Sequence, residues 1–272
     1  MNRNGKGHRR LLPSPVLSAS AAIHLGAAAA LLTYPRHWPW AIGAVAANHA
    51  VLAAAGLLPR SRLLGPNWIR LPAASGARGE VALTIDDGPD PAVTPRVLDL
   101  LAKHGAPATF FCVGERVERY ADIAREIVRR GHAVENHSQR HRHNFSLLGP
   151  RGMRDEIARA QDGISRITGS VPRFFRAPAG LRNPFLDPVL QSLNLRLASW
   201  TRRGFDTVNG NADTVYRRLA RSLGGGDILL LHDGNAALGP TGGPVILEVL
   251  PRLLDRLRDV RLSPVTLRAA LQ

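Results

Sequence analysis

Apolar positions fall into two regimes along the chain. Val16 to Thr33 and Trp38 to Leu58 contain no charged residue, and each is close to the ~20 residues that a helix needs to cross a bilayer. Both stretches are Ala-rich, and His24, Asn48 and His49 lower their hydrophobicity further. Tyr34-Pro35-Arg36-His37 between them is short and helix-breaking, as a hairpin tip is. Tyr34, Trp38 and Trp40 stand where an interfacial aromatic belt would lie. The pattern predicts two helices, about 16–33 and 38–58, forming a membrane hairpin within an N-terminal unit of residues 1–70. A soluble hairpin, or a signal peptide followed by a core helix, is the alternative. A signal peptide accounts only for the first stretch.

From about Gly79 short apolar runs alternate with amphipathic, Arg-rich segments. Strands are predicted at Val81 to Ile85, Ala108 to Val113, His132 to Glu135, Phe174 to Arg176, Leu195 to Trp200, Asp227 to Leu231 and near Ser263 to Thr266. Helices are predicted at Thr94 to Lys103, Ile123 to Arg130, Met153 to Thr168, Pro184 to Leu193, Ala212 to Leu223 and Pro244 to Arg258. Repeated βα alternation argues an α/β fold with a parallel sheet covered by helices. About seven units favour a closed or partly closed barrel over a doubly wound open sheet. Either form puts the chemistry of residues 71–272 at the C-terminal strand ends.

Composition narrows the classes. Hydrophobic residues make up 44% of the 272, enough for a sizeable core, which excludes a wholly disordered chain. The single cysteine, Cys112, excludes an intrachain disulfide framework and a zinc site built from several thiolates. The net charge of +15 suits a negatively charged neighbour. The segment from Met1 to Arg70 holds eight basic residues and no acid, so much of the surplus flanks the apolar stretches. Nearly all of the basic residues are Arg, which reads as compositional bias rather than a phosphate-binding surface. Arg3, Lys6, Arg9 and Arg10 precede the first stretch and Arg60, Arg62 and Arg70 follow the second, with only Arg36 between. The positive-inside bias then places both ends of the hairpin, and the folded domain, on the cytoplasmic side of a bacterial-type inner membrane. A periplasmic placement is the alternative. Nucleic-acid binding has only the charge behind it, with no basic helix or aromatic platform, and is not expected.

Polar residues gather at the predicted strand ends. His137 and His141 are four apart, and a helical turn after the strand would put both rings on one face. Two imidazoles and a carboxylate make a hydrolytic zinc site with a position left for water, and Asp87 is the candidate third ligand. Asp86 and Asp87 would point to opposite faces of a regular strand, but a turn at Gly88-Pro89 can bring both to the site. One carboxylate then binds the metal and the other takes a proton. A plain Asp-Gly turn is the structural alternative.

Thr84-Ile85-Asp86-Asp87-Gly88-Pro89 and His137-Ser138-Gln139-Arg140-His141 resemble the first two motifs of the polysaccharide deacetylase (NodB-homology, carbohydrate esterase) family. Arg176-Ala177-Pro178-Ala179-Gly180 resembles the third, Ser199-Trp200 through Asp206 the fourth, and Leu229-Leu230-Leu231-His232-Asp233 the fifth. The resemblance implies a distorted (β/α) barrel of about seven strands. It also implies metal-dependent removal of an N-acyl group, usually acetyl, from an amino sugar. Carried over by position, Asp86 is the general base. Asp87, His137 and His141 hold a divalent metal, most often Zn2+, with Co2+, Ni2+ or Mn2+ as alternatives. His232 is the general acid, Arg176 holds Asp86, Asp206 keeps His232 protonated, and the Ala179 N–H helps to bind the oxyanion. The motifs depart from the pattern at Ala179, where an aromatic residue is common, and at Thr207, where Trp is common. Trp200 and Phe205 are candidates to replace the lost apolar wall. Both changes point to a different substrate pocket, and a membrane hairpin favours a lipid-linked saccharide over a polysaccharide. The remaining alternative is an inactive glycan-binding barrel, which the full set of base, ligands and acid argues against.

Overall fold

The structure is a computed structural model that describes residues 14–271. Arg3, Lys6, Arg9 and Arg10, used above for topology, lie outside the described residues. The chain opens with α1 (Pro15–Thr33) and α2 (Trp38–Leu57), joined by a 3-10 turn at Pro35–His37. The polar residues that interrupt these helices meet in pairs, one partner from each helix. Asn48 donates to Ser20 Oγ at 2.8 Å, and the His24 and His49 rings meet edge to face at 5.1 Å. Ser20 and Asn48 are thus buried and paired inside the hairpin, whereas His24 and His49 are exposed, as are Leu25, Leu32, Trp38 and Trp40.

After α3 (Ala73–Ala77) the βα alternation begins. In order come β1 (Glu80–Asp86), α4 (Thr94–Lys103), β2 (Thr109–Cys112), α5 (Gly114–Arg119), α6 (Ala121–Arg129), β3 (Ala133–Asn136) and α7 (Pro150–Thr168). There follow β4 (Phe174–Phe175), α8 (Leu186–Ser192), β5 (Arg196–Leu197), β6 (Arg202–Arg203), α9 (Ala212–Ala220), β7 (Ile228–His232), α10 (Ile246–Asp259) and β8 (Ser263–Val265). The sheet runs β5-β4-β3-β2-β1-β7-β6, and β8 pairs with the first half of β1. Every pairing between these strands is parallel, as the alternation with helices requires.

The two edges of the sheet are consecutive in the chain. The predicted strand from Leu195 to Trp200 shortens to β5, which pairs with β4, and β6, beyond the predicted range, pairs with β7. Ala198 N–H still bonds Phe175 O at 2.9 Å, and Thr201 N–H bonds Ile228 O at 2.9 Å. One extended segment therefore closes the barrel, changing partner at Ser199-Trp200.

Helices cover the outside through regular apolar spacing. Thus α10 buries Ile246, Val249, Leu250, Leu253, Leu254 and Leu257, a single stripe at helical period. Strand residues alternate between the two sides of the wall. Leu83, Ile85, Phe110, Leu229 and Leu231 join the outer core under the helices. Ala82, Phe111, Phe174, Ile228 and Leu230 join the inner cluster with Trp200. The period of two then carries Asp86, His137, Arg176 and His232 to the inner side at the strand ends. Cys112 falls on the outer side, where burial pushes its thiol up and leaves it a packing residue.

Candidate active site

Asp86, Asp87, His137, His141, Ala179, Trp200 and His232 line one cleft of about 550 Å³ at the C-terminal strand ends. Such a volume accommodates a sugar unit. Arg176 and Asp206 are buried behind it.

Asp86 ends β1, and Asp87 follows with a left-handed φ of 74°. The reversal thus occurs at Asp87 itself and turns its carboxylate toward the same cavity as that of Asp86. Gly88 has to be glycine, because a Cβ there would lie 2.5 Å from the Asp233 carboxylate. Asp233 is in turn gripped by Thr94 Oγ1 at 2.5 Å. Burial, with Asp87 adding repulsion, pushes the Asp233 carboxyl up to about 7.

His137 and His141 meet without the helical turn expected above. Ser138 (φ 65°) and His141 (φ 49°) are left-handed, the His141 N–H bonds Ser138 Oγ at 3.0 Å, and the rings lie 4.8 Å apart. A short polar side chain can stabilise such a loop as well as a helix does. Both Nε2 atoms point at Asp87 Oδ1, each at 3.2 Å.

One ligand atom from each of Asp87, His137 and His141 falls within 4.8 Å of the others. The surroundings fit a cation at that point. Asp87 Oδ1 is buried with no hydrogen-bond partner, while Asp87 Oδ2 accepts from Asn235 at 2.9 Å. His137 Nδ1 donates to the Arg176 carbonyl at 2.8 Å, which directs Nε2 toward the carboxylate. Such outer bonds commonly fix the ring of a metal-ligating His. Burial would raise the Asp87 carboxyl, but the His137 imidazole outweighs it and holds Asp87 well below the usual carboxylate range. Burial and the neighbouring His137 keep the His141 ring low, whereas at His137 burial is outweighed by the Asp87 and Asp86 carboxylates, which raise the ring; a cation held there would take the place of that proton.

Asp86 Oδ2 lies 3.9 Å from the same His137 Nε2. Arg176 Nη1 donates to Asp86 Oδ1 at 2.7 Å and to Thr84 Oγ1 at 2.8 Å. Its remaining N–H groups reach the Ala198 and Ser199 carbonyls at 3.2 and 2.7 Å, where the barrel segment changes partner. The guanidinium also lies over the Phe111 ring at 4.1 Å. A fixed five-donor fork suits this position as a Lys ammonium would not.

His232 ends β7 directly opposite Asp86 in the register of adjacent strands. Asp206 binds it twice, from Oδ1 to the ring Nδ1 at 2.9 Å and from Oδ2 to the backbone N–H at 2.7 Å. Nε2 is left free. Burial lowers the His232 pKa, but Asp206, with Asp86 and Asp87 behind it, more than reverses this and raises it. Ala179 has φ 54° in a 3-10 turn, Pro178–Gly180. The bonds of that turn use the N–H groups of Gly180 and Leu181, not that of Ala179. Trp200 forms part of the wall, but Phe205 does not replace the missing aromatic. It stacks between Arg203 and Arg218 at 4.9 and 5.3 Å, outside the lining.

The profile of the polysaccharide deacetylase family matches residues 73–198. A peptidoglycan-N-acetylglucosamine deacetylase of Bacillus cereus is 31% identical over 197 residues, covering 72% of this chain and 69% of the relative. This chain belongs to the polysaccharide deacetylase family. A chitooligosaccharide deacetylase of Bradyrhizobium is 35% identical over 161 residues, 59% of this chain and 73% of the relative. Among solved structures, a family 4 carbohydrate esterase from Streptomyces lividans in complex with acetate superposes with a TM-score of 0.62 at 32% identity. That match covers 68% of this chain and 91% of the esterase. The deacetylase fold accounts for the barrel and its strand-end cleft. Sequence reasoning missed Asn235, which orients Asp87, and Thr84, which shares Arg176. Both sit inside or beside motifs, but neither has a charge to draw notice. It also missed Arg116, Arg119 and Arg203 on the cleft wall, because Arg is so frequent in this chain.

Proposed function

We propose that the protein is a membrane-anchored, metal-dependent hydrolase that removes an N-acyl group, acetyl foremost, from an amino sugar. The observation that carries this reading is the pairing of Asp86 and His232 across adjacent strand ends in the cleft that holds the Asp87, His137 and His141 cluster. Asp87, His137 and His141 would hold a divalent cation, zinc foremost. Such a cation supplies Lewis acidity, polarising an acyl oxygen and lowering the pKa of water toward ~7.

The roles of the side chains follow from their surroundings. Asp86 takes the proton from the attacking water, and Arg176 holds the carboxylate aimed at it. The acyl C–O bond forms, and the C–N bond then breaks. An amine departs poorly unless protonated, so His232 gives its proton from Nε2 to the leaving nitrogen. Asp206 holds the opposite ring nitrogen and so fixes the tautomer. The Ala179 N–H donates to the oxyanion, whose charge exists only in the transition state, and Trp200 forms a wall for the sugar. Residues 1–70 would anchor the enzyme and residues 71–272 carry the chemistry. Each of the first two helices is long and apolar enough to cross a membrane, and the charge pattern of the flanks favours a cytoplasmic-facing domain acting on a lipid-linked saccharide.

The test uses full-length protein in detergent, stripped by chelator and reloaded with zinc, and follows amine release from N-acetylated chitooligosaccharides. Reloading is expected to restore turnover. Asp86→Asn is expected to lose about 10²–10⁴-fold in rate while retaining stoichiometric metal. Undiminished turnover in either the stripped protein or the variant refutes the assignment.

A further inference from the structure

The cleft contains a cation that the deacylation chemistry does not use. Arg203 lies on β6 opposite Leu230 of β7 and lines the cleft wall. Its Nε is buried without a hydrogen-bond partner. Among the described residues it has no carboxylate partner, whereas its neighbour Arg202 pairs with Asp227 and the buried Arg176 with Asp86. The guanidinium is held between the Trp200 and Phe205 rings at 5.4 and 4.9 Å. Arg116 and Arg119 line the same cleft, also without a carboxylate partner among the described residues. A partly desolvated, unpaired guanidinium is costly unless a ligand completes it. Stacking has already fixed its fork, which matches phosphate oxygens two at a time. The sugar hydroxyls of a neutral glycan need no such group.

The chain also places this cation beside the first helices. The end of α2 is fastened to the cleft rim. Arg182 N–H bonds Gly56 O at 3.1 Å, Ser199 Oγ bonds Pro59 O at 2.7 Å, and Arg60 Nη1 bonds Thr201 O at 3.2 Å. Thr201 is two residues from Arg203. Around this junction Leu57, Leu58, Leu63, Leu147 and Phe185 are exposed, and Asn183 ties the last two loops together through the Ser146 and Leu148 carbonyls. An apolar collar continuous with an apolar helix is the form of a surface resting in a lipid headgroup layer.

We propose that the cleft takes a phosphorylated amino sugar whose phosphate pairs with Arg203, and that this phosphate is the one joining the sugar to a membrane lipid. The proposal rests on the hydrolase and anchor readings above. A phosphate at the membrane surface would meet Arg203 first, while the acylated nitrogen reaches the Asp86 and His232 pair deeper in the cleft.

The test uses zinc-loaded full-length protein in lipid nanodiscs with three N-acetylglucosamine substrates: a neutral chitooligosaccharide, the water-soluble 1-phosphate, and a short prenyl diphosphate conjugate. Both phosphorylated substrates are expected to exceed the neutral one in kcat/KM by about tenfold or more. Arg203→Gln is expected to abolish that ratio through KM rather than kcat, and Arg203→Lys to restore part of it. A neutral substrate that is preferred, or an Arg203→Gln variant that keeps the ratio, overturns the proposal. The prenyl conjugate is expected to surpass the soluble phosphate; equal rates would overturn the membrane half and assign the site to a soluble sugar phosphate. If the wild type releases amine from none of the three, the hydrolase reading is what fails. Calorimetric binding of the 1-phosphate, with and without Arg203→Gln, then decides the phosphate site independently, and equal affinity in the two proteins sinks it.

Discussion

Replacing Asp206 with Asn tests the acid side of the site most directly. The change keeps the shape but removes one buried charge 2.9 Å from His232 Nδ1. At an effective dielectric constant of about 20, unit charges at that distance attract by roughly 6 kcal/mol. That is a ceiling, because burial of both groups opposes it. Carboxylate–imidazolium neighbours ordinarily shift a pKa by about 1–3 units, and each unit is worth 1.36 kcal/mol. Asp86 and Asp87 also favour the protonated ring and remain in the variant. In the proposed role His232 acts as an acid only while protonated, so activity should hold at low pH and fall as pH rises through its pKa. In the wild type that pKa is raised, and the alkaline limb of kcat/KM lies correspondingly high. Asp206→Asn is expected to move that limb to lower pH by about 1–3 units, measured as amine release from an N-acetylated oligosaccharide across the pH range. The same pairing contributes stability that is fully present below about pH 6.5 and fades as pH rises through the raised value. The denaturation midpoints of wild type and variant should therefore diverge near pH 6 and converge in alkali. A uniform loss of rate with an unmoved limb would refute the role of Asp206 as the partner that holds the proton on His232.

Substitutions at two further positions probe the framework. Arg176→Met leaves Asp86 buried and unpaired and strands two carbonyls; a loss of about 3–5 kcal/mol in denaturant unfolding is expected, with Arg176→Lys in between, and a midpoint near wild type would contradict the buried pair. Gly56→Ala puts a Cβ 2.2 Å from the Arg182 carbonyl oxygen; overpacking of this kind costs about 1–3 kcal/mol, so thermal unfolding should begin at lower temperature, and an unchanged transition would mean that α2 does not press on the cleft rim.

Much of the site was legible because its chemistry is carried by residue types that stand out in apolar strands. Asp86, His137, Arg176 and His232 each end or follow a strand, and their motifs occur in one order. The helix at Thr94–Lys103 was read to the residue, since its apolar stripe and flanking turns agree. Three features were not legible. The meeting of His137 with His141 depends on left-handed backbone at Ser138 and His141, conformations for which these residue types have no strong preference. The shortening of the fifth predicted strand to β5 and the appearance of β6 after Trp200 depend on their neighbours, because pairing partners are a tertiary property. The contact of α2 with the cleft rim joins Gly56 to Arg182, far apart in sequence, through a close approach that no local pattern encodes. The short α5 was also missed, since its sequence GERVER shows only one apolar residue.

The Arg176 side chain does two jobs with one guanidinium: it steadies Asp86 and it bridges the Ala198 and Ser199 carbonyls, just where the segment passes from one neighbouring strand to the other. The hoop of strands is therefore clasped by the same group that readies the base. Descendants of this sequence could not shed the arginine to retune acidity without also unbuckling the wall, and a drifting wall would blunt the base. Reactivity and enclosure are in this way inherited together.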